Sequence, residues 1–497
     1  MKNHRTRFSA QQVPIDGVFL QVGDKATLPR QLYDQLKRMI LQGSLKAGTA
    51  LPPSRLFARD LGVGRNTVIA AYDQLASEGY IDSRERSRSF VANLSIALRQ
   101  SKAKAEKSVD LLSQRGRLMA KQPLQASVPR GVAFHPGTPD FTQFPFDKWR
   151  RLLSNRLVSQ REDLFGYHYI TGYPGLKASV AAYLQSSRRV NCEASQIVIT
   201  TGAQAALDLL ARLLLDPGDD VWMEEPGYLG AQSAFLAAGA NLSPLHVNGD
   251  GWDIARLPER RPKVIYLTPS CQSPLGVTMR MEQRLNFLEL ANQWGSWVIE
   301  DDFDSEYRFS GQPIPSMQGE DSSGRTIYVG TFAKTLMPAL RLGFMVLPPG
   351  LLDAFLRASN ATGQYAPLVL QAALADFMDR GFFAQHLRRM RRLYARRRET
   401  FIDLCEARLG AWLRHTVNDS GMQTLWYLDK RIDDRKLAEF GAKAGLILAP
   451  LSQYFHHSRG QSGLVLGYAA LEEPAMRSAL NSLRGLLQKT DAKRDAP

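Results

Sequence analysis

Lys334 stands in TFAKTLMPALRLGF, residues 331–344, just beyond an apolar run and followed seven positions later by Arg341. A lysine among small and apolar neighbours loses part of its preference for charge, and the neutral amine attacks an aldehyde carbon. A nearby arginine can take phosphate oxygens through parallel N–H donors. The pair suits a Schiff base with a phosphate-bearing aldehyde. Three other stretches extend that chemistry. WVIEDDFDSEY sets Asp301 and Asp302 at the end of an apolar strand, where a carboxylate is costly unless it meets a cation such as a protonated pyridine nitrogen. ITTGAQAAL starts a helix with Gly202, Ala203 and Gln204, whose free amides and dipole favour phosphate. EEPGYLG leaves Tyr228 past another strand, available to stack on a flat ring. Each residue alone has an ordinary reading: a surface lysine, a turn glycine, a capping aspartate, a tyrosine at the core edge. Together they fall at the carboxyl ends of strands, where open α/β sheets bind ligands.

The elements that must carry them follow from periodicity. QIVITT, VWMEE, VIYLTP, WVIED and TIYVG read as buried strands, separated by helical stretches such as GAQAALDLLARLLLDPGD and MEQRLNFLELANQWG. In the first of these helices Ala206, Leu207, Leu210, Leu213 and Leu214 mark the buried stripe. Strands alternating with helices predict an α/β architecture with a mostly parallel sheet. After about residue 350 a long arginine-rich helix leads to shorter strands and a last helix, a smaller α+β subdomain. Arg388, Arg389, Arg391, Arg392, Arg396, Arg397 and Arg398 crowd that helix, but Leu387, Met390 and Tyr394 give it an ordinary core stripe. A solvated face with structural ion pairs is expected there, with a polyanion-binding surface as the alternative.

Ahead of the β/α units, residues 28–92 read as three short helices and a hairpin. Leu32, Leu36, Met39 and Ile40 form one helical face, and Val68, Ala71, Tyr72 and Leu75 form another. The second and third helices are separated by a turn at Leu61 to Gly64, which is helix-turn-helix spacing, and YIDSRERSRSFVAN then alternates as a wing. Charge agrees: residues 1–92 hold 14 Lys and Arg against 8 Asp and Glu, and residues 93–140 hold 8 against 3, whereas the remainder is nearly balanced. A basic head on a neutral body predicts a polyanionic partner for the head. Over the whole chain of 497 residues, 44% hydrophobic and 22% charged composition excludes a disordered or fibrous protein. Three cysteines without C-x-x-C spacing exclude a disulfide framework and a zinc knuckle, no metal is expected, and no apolar run reaches membrane-spanning length. A cytoplasmic protein is expected.

The run LPRQLYDQLKRMILQGSLKAGTALPPSRLFARDLGVGRNTVIAAYDQLASEGYI resembles the winged helix-turn-helix of GntR-type bacterial regulators, and residues 134 to about 485 resemble fold type I aminotransferases that use pyridoxal 5′-phosphate (PLP). The combination is similar to the MocR subfamily over nearly the full chain. The resemblance implies a DNA-binding domain at 1–92, a flexible basic linker at 93–133, a large aminotransferase-like domain at 134–350 and a small C-terminal one at 351–497. It implies that Lys334 forms the Schiff base with PLP, that Asp301 pairs with the ring nitrogen, and that Tyr228 stacks on the ring. Gly202, Ala203, Gln204, Thr331 and Arg341 would cradle the phosphate. Arg55, Arg65, Asn66 and Thr67 match DNA-contacting positions, and Arg84, Arg86 and Arg88 of the wing would add phosphate contacts. The implied function is transcription regulation at double-stranded promoter DNA by a homodimer that senses PLP, a small amine or an amino acid; in the homodimer Tyr169 would reach the partner's cofactor. The alternative is a working aminotransferase with a DNA-binding appendage. Four departures bear on that choice. Phe303 replaces the usual tyrosine that bonds the ring hydroxyl, and Cys271 stands where many relatives have histidine. Val465 occupies the place of the arginine that grips a substrate carboxylate, with Arg459 just ahead as a substitute anchor, and the wing turn RERSRSF lacks glycine. Weak or absent transamination is expected.

Overall fold

The computed structural model describes residues 18–21, 26–84, 88–93, 112–120, 131–158, 161–166, 168–312, 314–416, 420–458 and 460–492, with only the backbone at 83, 84, 88, 161 and 492. The chain divides into two compact units, residues 1–108 and 109–497.

In the first unit, α1 (Leu28–Leu41) opens with Pro29 in its first turn, where a missing N–H costs nothing. After α2 (Ser54–Asp60) the chain turns at 61–64 and enters α3 (Arg65–Ser77). Val63 N donates to Ala58 O across that turn (2.9 Å). The core is the one the periodicity gives: Leu32, Leu36 and Ile40 of α1 against Val68, Ala71, Tyr72 and Leu75 of α3, with Phe57 of α2 between. Met39 lies at its margin. A polar clamp fastens α1 to the end of α3: Lys37 Nζ donates to Tyr33 Oη (2.7 Å) and Glu78 Oε2 (3.0 Å), and Tyr33 donates to Glu78. Strands β1 (Ile81–Arg84) and β2 (Arg88–Val91) pair antiparallel from Ile81↔Val91 to Arg84↔Arg88, which is the wing.

In the second unit, eight strands form one sheet: β3 (Ile197–Thr200), β4 (Asp220–Glu225), β5 (Asn241–Asn248), β6 (Gly251–Trp252), β7 (Val264–Leu267), β8 (Trp297–Asp302), β9 (Thr326–Thr331) and β10 (Gly343–Val346), in the order β3-β10-β9-β8-β7-β4-β5-β6. The pairs among β5, β4, β7, β8 and β9 are parallel, and β10 runs antiparallel between β3 and β9. β7 is buried throughout and β9 up to Gly330, as expected for strands covered on both faces. Three strands lie outside the sequence expectation: β5, buried only at Leu245 and Val247 and holding Pro244, the two-residue β6, and β10, whose GFMV begins within the end of the lysine motif. Helix Ala203–Leu214 buries Ala206, Leu207, Leu210 and Leu214, whereas Leu213 is exposed, because the stripe at 3.6-residue period turns away from it. A second, antiparallel sheet of β11 (Leu413–His415), β12 (Gln423–Leu428), β13 (Ala449–Pro450) and β14 (Gly463–Gly467) packs with helices Phe382–Leu409 and Glu473–Ala492. Within the segment expected to be a linker, Gln114–Ala120 forms a helix against helix Leu229–Ala238.

The arginine-rich helix divides its charges by face. Leu387, Met390 and Tyr394 are buried, Arg397 pairs with Asp140 (2.8 Å), and Arg391 donates to Glu306 O (2.9 Å). Arg388, Arg389, Arg392 and Arg396 are exposed. Cys192, Cys271 and Cys405 are free and buried. Among the described residues no helix is long and apolar enough to cross a membrane.

Arg188, at the end of helix Pro174–Arg188, is the buried cation that joins that helix to the sheet. It donates to Asp302 Oδ2 (2.8 Å), Ser270 Oγ and Ile314 O. Removing one member of a buried pair leaves the other uncompensated. Arg188→Ala is expected to destabilise the larger unit by about 3 to 5 kcal/mol, read as a lowered urea midpoint for that unit with the transition of the N-terminal unit unmoved.

Candidate functional site

β8 is apolar through Val298 and Ile299 and then ends in Glu300, Asp301 and Asp302, all buried. Strand alternation turns Asp301 to one face and its two neighbours to the other. Glu300 is capped by the amides of Met317 and Gln318 (both 2.8 Å), and Asp302 accepts from Arg188, Ser305 and Tyr328. Asp301 receives only the Tyr266 hydroxyl on Oδ2 (2.7 Å), and its buried Oδ1 has no hydrogen-bond partner. Burial pushes its pKa up to about 7, against the opposing pull of the Tyr266 bond and the Lys334 charge. This is a carboxylate that lacks a cation.

Lys334 follows β9. Its Nζ donates to Gly137 O (2.9 Å), and burial holds its pKa below the ordinary lysine value, opposed by the charges of Asp304 and then Asp301. Gly137 has φ +62°, and a Cβ there would overlap Lys334 Nζ, so the position demands glycine. The segment ahead of Gly137 is anchored to the small sheet: Phe134 bridges to Gly467, whose N–H donates to Phe134 O (2.9 Å).

Gly202, with φ +96°, caps helix Ala203–Leu214, and a Cβ there would lie 3.8 Å from Arg341 Cζ. The guanidinium thus stands beside the open amides of a helix N-terminus, an arrangement that suits phosphate. The Gln204 side chain is engaged with Gly230 O (2.9 Å), which leaves its backbone N–H for an anion. Thr331 Oγ1 accepts from Ala333 N (3.1 Å) and keeps its own proton to donate. Tyr228 precedes helix Leu229–Ala238; burial pushes its hydroxyl up to about 12, Asp301 adds to the rise and Arg341 opposes it. Tyr228 is therefore within electrostatic reach of both ends of the site. Its loop is fixed by Glu224, which accepts from Trp252 Nε1 (3.0 Å), Thr268 N (2.7 Å), Thr268 Oγ1 (2.5 Å) and Gln272 Nε2 (3.2 Å).

The fold thus gathers Lys334 and Arg341 of one segment with Asp301, Tyr228 and Gly202 of three others at the carboxyl end of the sheet. An acid with a buried free oxygen, a lysine whose charge burial disfavours and a helix terminus flanked by a guanidinium match the ring nitrogen, aldehyde and phosphate of PLP. Gly137, Tyr266, Arg188 and Asp304 were not anticipated from sequence. Only the turn signal HPGTPD around Gly137 could have marked one of them. Of the departures, Val465 is fully buried in β14 in a core cluster with Leu425 and Leu451, and Cys271 is buried with its thiol pushed up to about 12. Arg459 lies outside the described residues.

In the N-terminal unit, Arg55 of α2 and Arg65 and Asn66 at the start of α3 are exposed, and Thr67 is half-buried. Arg65 Nε lies 3.5 Å from Ser54 Oγ, so the two helices present one polar edge. Arg86 is outside the described residues, as are the side chains of Arg84 and Arg88.

Comparison with known proteins accounts for both units. Residues 133–483 match aminotransferase class I and II, and residues 28–91 match bacterial regulatory proteins of the gntR family. The chain is 51% identical over 458 residues to the probable rhizopine catabolism regulatory protein MocR of Rhizobium meliloti, covering 92% of each. It is 32% identical to an uncharacterized HTH-type transcriptional regulator, YdeL, of Bacillus subtilis, covering 92% of this chain and 96% of that one. Among solved structures, the α-aminoadipate aminotransferase LysN of Thermus thermophilus, complexed with N-(5′-phosphopyridoxyl)-L-leucine, superposes with a TM-score of 0.71 at 26% identity, over 78% of this chain and 100% of that one. A gntR-family head joined to an aminotransferase class I and II fold in a single chain, matched over 92% of its length by a regulator, assigns this protein to the MocR subfamily of GntR-type transcription regulators.

Proposed function

We propose that this regulator holds PLP on Lys334 and uses that site to sense PLP itself or a small amine or amino acid, coupling ligand state to promoter binding by a homodimer in the cytoplasm. The observation that carries the reading is the buried, unpartnered Oδ1 of Asp301 on the same strand end that faces Lys334. PLP would supply an electrophilic aldehyde and an electron-withdrawing ring. Asp301 would hold the ring-nitrogen proton, and the ion pair would relieve the cost of its burial. The amides that begin helix Ala203–Leu214, with Thr331 and Arg341, would bind the phosphate, and Tyr228 would cover the ring. Tyr169 would approach the partner's site across a dimer interface, for which exposed Phe146, Val158 and Phe165 provide apolar surface. Turnover is disfavoured by Val465. Transamination needs the substrate carboxylate fixed so that its Cα–H stands over the ring, and a buried valine offers no such fork.

Three outcomes test this reading. Borohydride reduction of PLP-saturated protein followed by peptide mapping should label Lys334, and Lys334→Ala should lack the visible absorbance band; label at another lysine would contradict the assignment. Rapid mixing with a panel of amino acids and amines should not convert bound PLP to pyridoxamine phosphate within seconds, whereas fast conversion would establish a working aminotransferase. In the head, Arg65→Ala should weaken operator binding by about 1 to 3 kcal/mol and blur specificity. Arg86→Ala should weaken all sequences alike and flatten the salt dependence. Unchanged specific and nonspecific affinities for Arg65→Ala would remove α3 as the reading helix.

A further inference from the structure

The fold uses only part of the arginine run in helix Phe382–Leu409. Arg397 is tied to Asp140 and to Ala469 O, and Arg391 to Glu306 O, contacts that hold segments of the larger unit together. Arg388, Arg389, Arg392 and Arg396 point outward. All four are exposed, and among the described residues none of them makes an ion pair or a hydrogen bond. Arg388, Arg392 and Arg396 follow one another at four-residue steps, so they form one row along the outer face, about 12 Å long at about 1.5 Å per residue. Arg389 lies beside the row, and Lys148 extends it: its Nζ donates to Gln385 Oε1 (3.1 Å), one turn ahead of Arg389. The nearest acid at helical spacing on that face is Glu399, and it forms no ion pair with Arg396. Like charges four residues apart repel one another. The helix carries that repulsion because Phe383, Leu387, Met390 and Tyr394 anchor its other face in the core.

We propose that this row is a second surface for the phosphate backbone of duplex DNA, making sequence-independent contacts beyond the site that the N-terminal head reads. A guanidinium offers forked donors that match phosphate oxygens. A row of about 12 Å covers the axial rise of three to four phosphates of one strand, at about 3.4 Å each. The charge is local. After residue 140 the chain holds 41 Lys and Arg against 37 Asp and Glu, so the row is no part of a general basic coat. Duplex DNA is the polyanion that the chain itself recruits: the gntR-family head binds it, and a second contact within one molecule gains from effective concentration, so that individually weak phosphate contacts suffice. Such contacts add affinity and salt dependence and leave sequence choice to the head.

The proposal rests on DNA binding by the head, and one experiment separates the two. A site is selected from a random-sequence duplex pool by the full-length protein. Its binding is then measured as a duplex of about 20 base pairs and within one of about 60, over salt from about 50 to 200 mM. The variants are Arg388→Gln/Arg392→Gln/Arg396→Gln, the same three positions as lysine, and Arg256→Gln/Arg260→Gln/Arg261→Gln, which removes equal charge from another exposed surface. Glutamine is a good helix former, so thermal unfolding close to wild type is expected. The first variant should lose about tenfold in affinity for the long duplex at about 100 mM salt, and its salt slope should fall by about 2 to 3, with the short duplex unaffected. Lysine should restore most of both, since phosphate also accepts a point charge. Unchanged affinity and slope on the long duplex overturn the proposal. So does an equal loss on the short duplex, or an equal loss in the Arg256, Arg260 and Arg261 variant, which would make the effect one of net charge. Unchanged DNA binding with lost affinity for phosphatidylglycerol vesicles overturns it in favour of a membrane surface. If wild type enriches no site, the reading of the head fails and the proposal falls with it. If the triple glutamine variant does not fold, Arg392→Gln alone decides, with a slope lowered by about 1 expected and an unmoved slope contradicting the proposal.

Discussion

An ionised carboxylate taken out of water without a partner is among the costliest groups a fold can hold, and β8 ends in three acids with Asp304 two residues on. The larger unit can be read as the set of answers to that constraint. Glu300 is answered by two backbone amides at the loop 317–318, and Asp302 by Arg188 and Tyr328, which ties helix Pro174–Arg188 and β9 to β8. Asp304 is half answered by Met422 from the segment before β12, so the small sheet is drawn to the end of the large one. Asp301 is answered only by Tyr266, and there the protein leaves an oxygen free. Asp301, Asp302 and Asp304 each keep one buried oxygen without a hydrogen-bond partner, whereas both oxygens of Glu300 are bonded.

Lys334 depends on the same neighbourhood from the other side. Its strand is buried up to Gly330, its Nζ donates to Gly137 O, and two acids supply its opposing charge. The segment ahead of Gly137 pairs with the small subdomain, Ala133 with Leu446 and Phe134 with Gly467.

The N-terminal unit is organised by local rules instead. Its three helices are short, close in sequence and packed through one stripe each, with a Tyr33–Lys37–Glu78 clamp in place of a charge network. The exposed arginines at α2 and α3 are free of buried partners, which is the condition for meeting phosphates and base edges. The basic excess of residues 1–92 thus has a surface to act from. Along helix Phe382–Leu409, by contrast, part of the arginine run is spent on Asp140, Ala469 and Glu306, contacts that join segments within the larger unit.

What the sequence determined by itself is whatever depends on near neighbours. Helix stripes such as Val68, Ala71, Tyr72 and Leu75 follow from a period of 3.6, the buried strands from apolar runs of four to six residues, and the open helix N-terminus from a glycine that follows a strand. Lys334, Asp301, Gly202 and Arg341 could be singled out in the sequence because each sits near the end of such an element. The tertiary structure alone decided which partner each acid meets. Asp301, Asp302 and Asp304 are equivalent in sequence, and their difference lies in Tyr266, Arg188 and Met422, residues 35, 114 and 118 positions away. It also decided that Gly137 faces a lysine 197 residues later, and that Val465 is sealed in a core. Burial and pairing are properties of the assembled sheet. No local pattern carries them, because the cost of an unpaired charge depends on the groups that long-range packing brings to it.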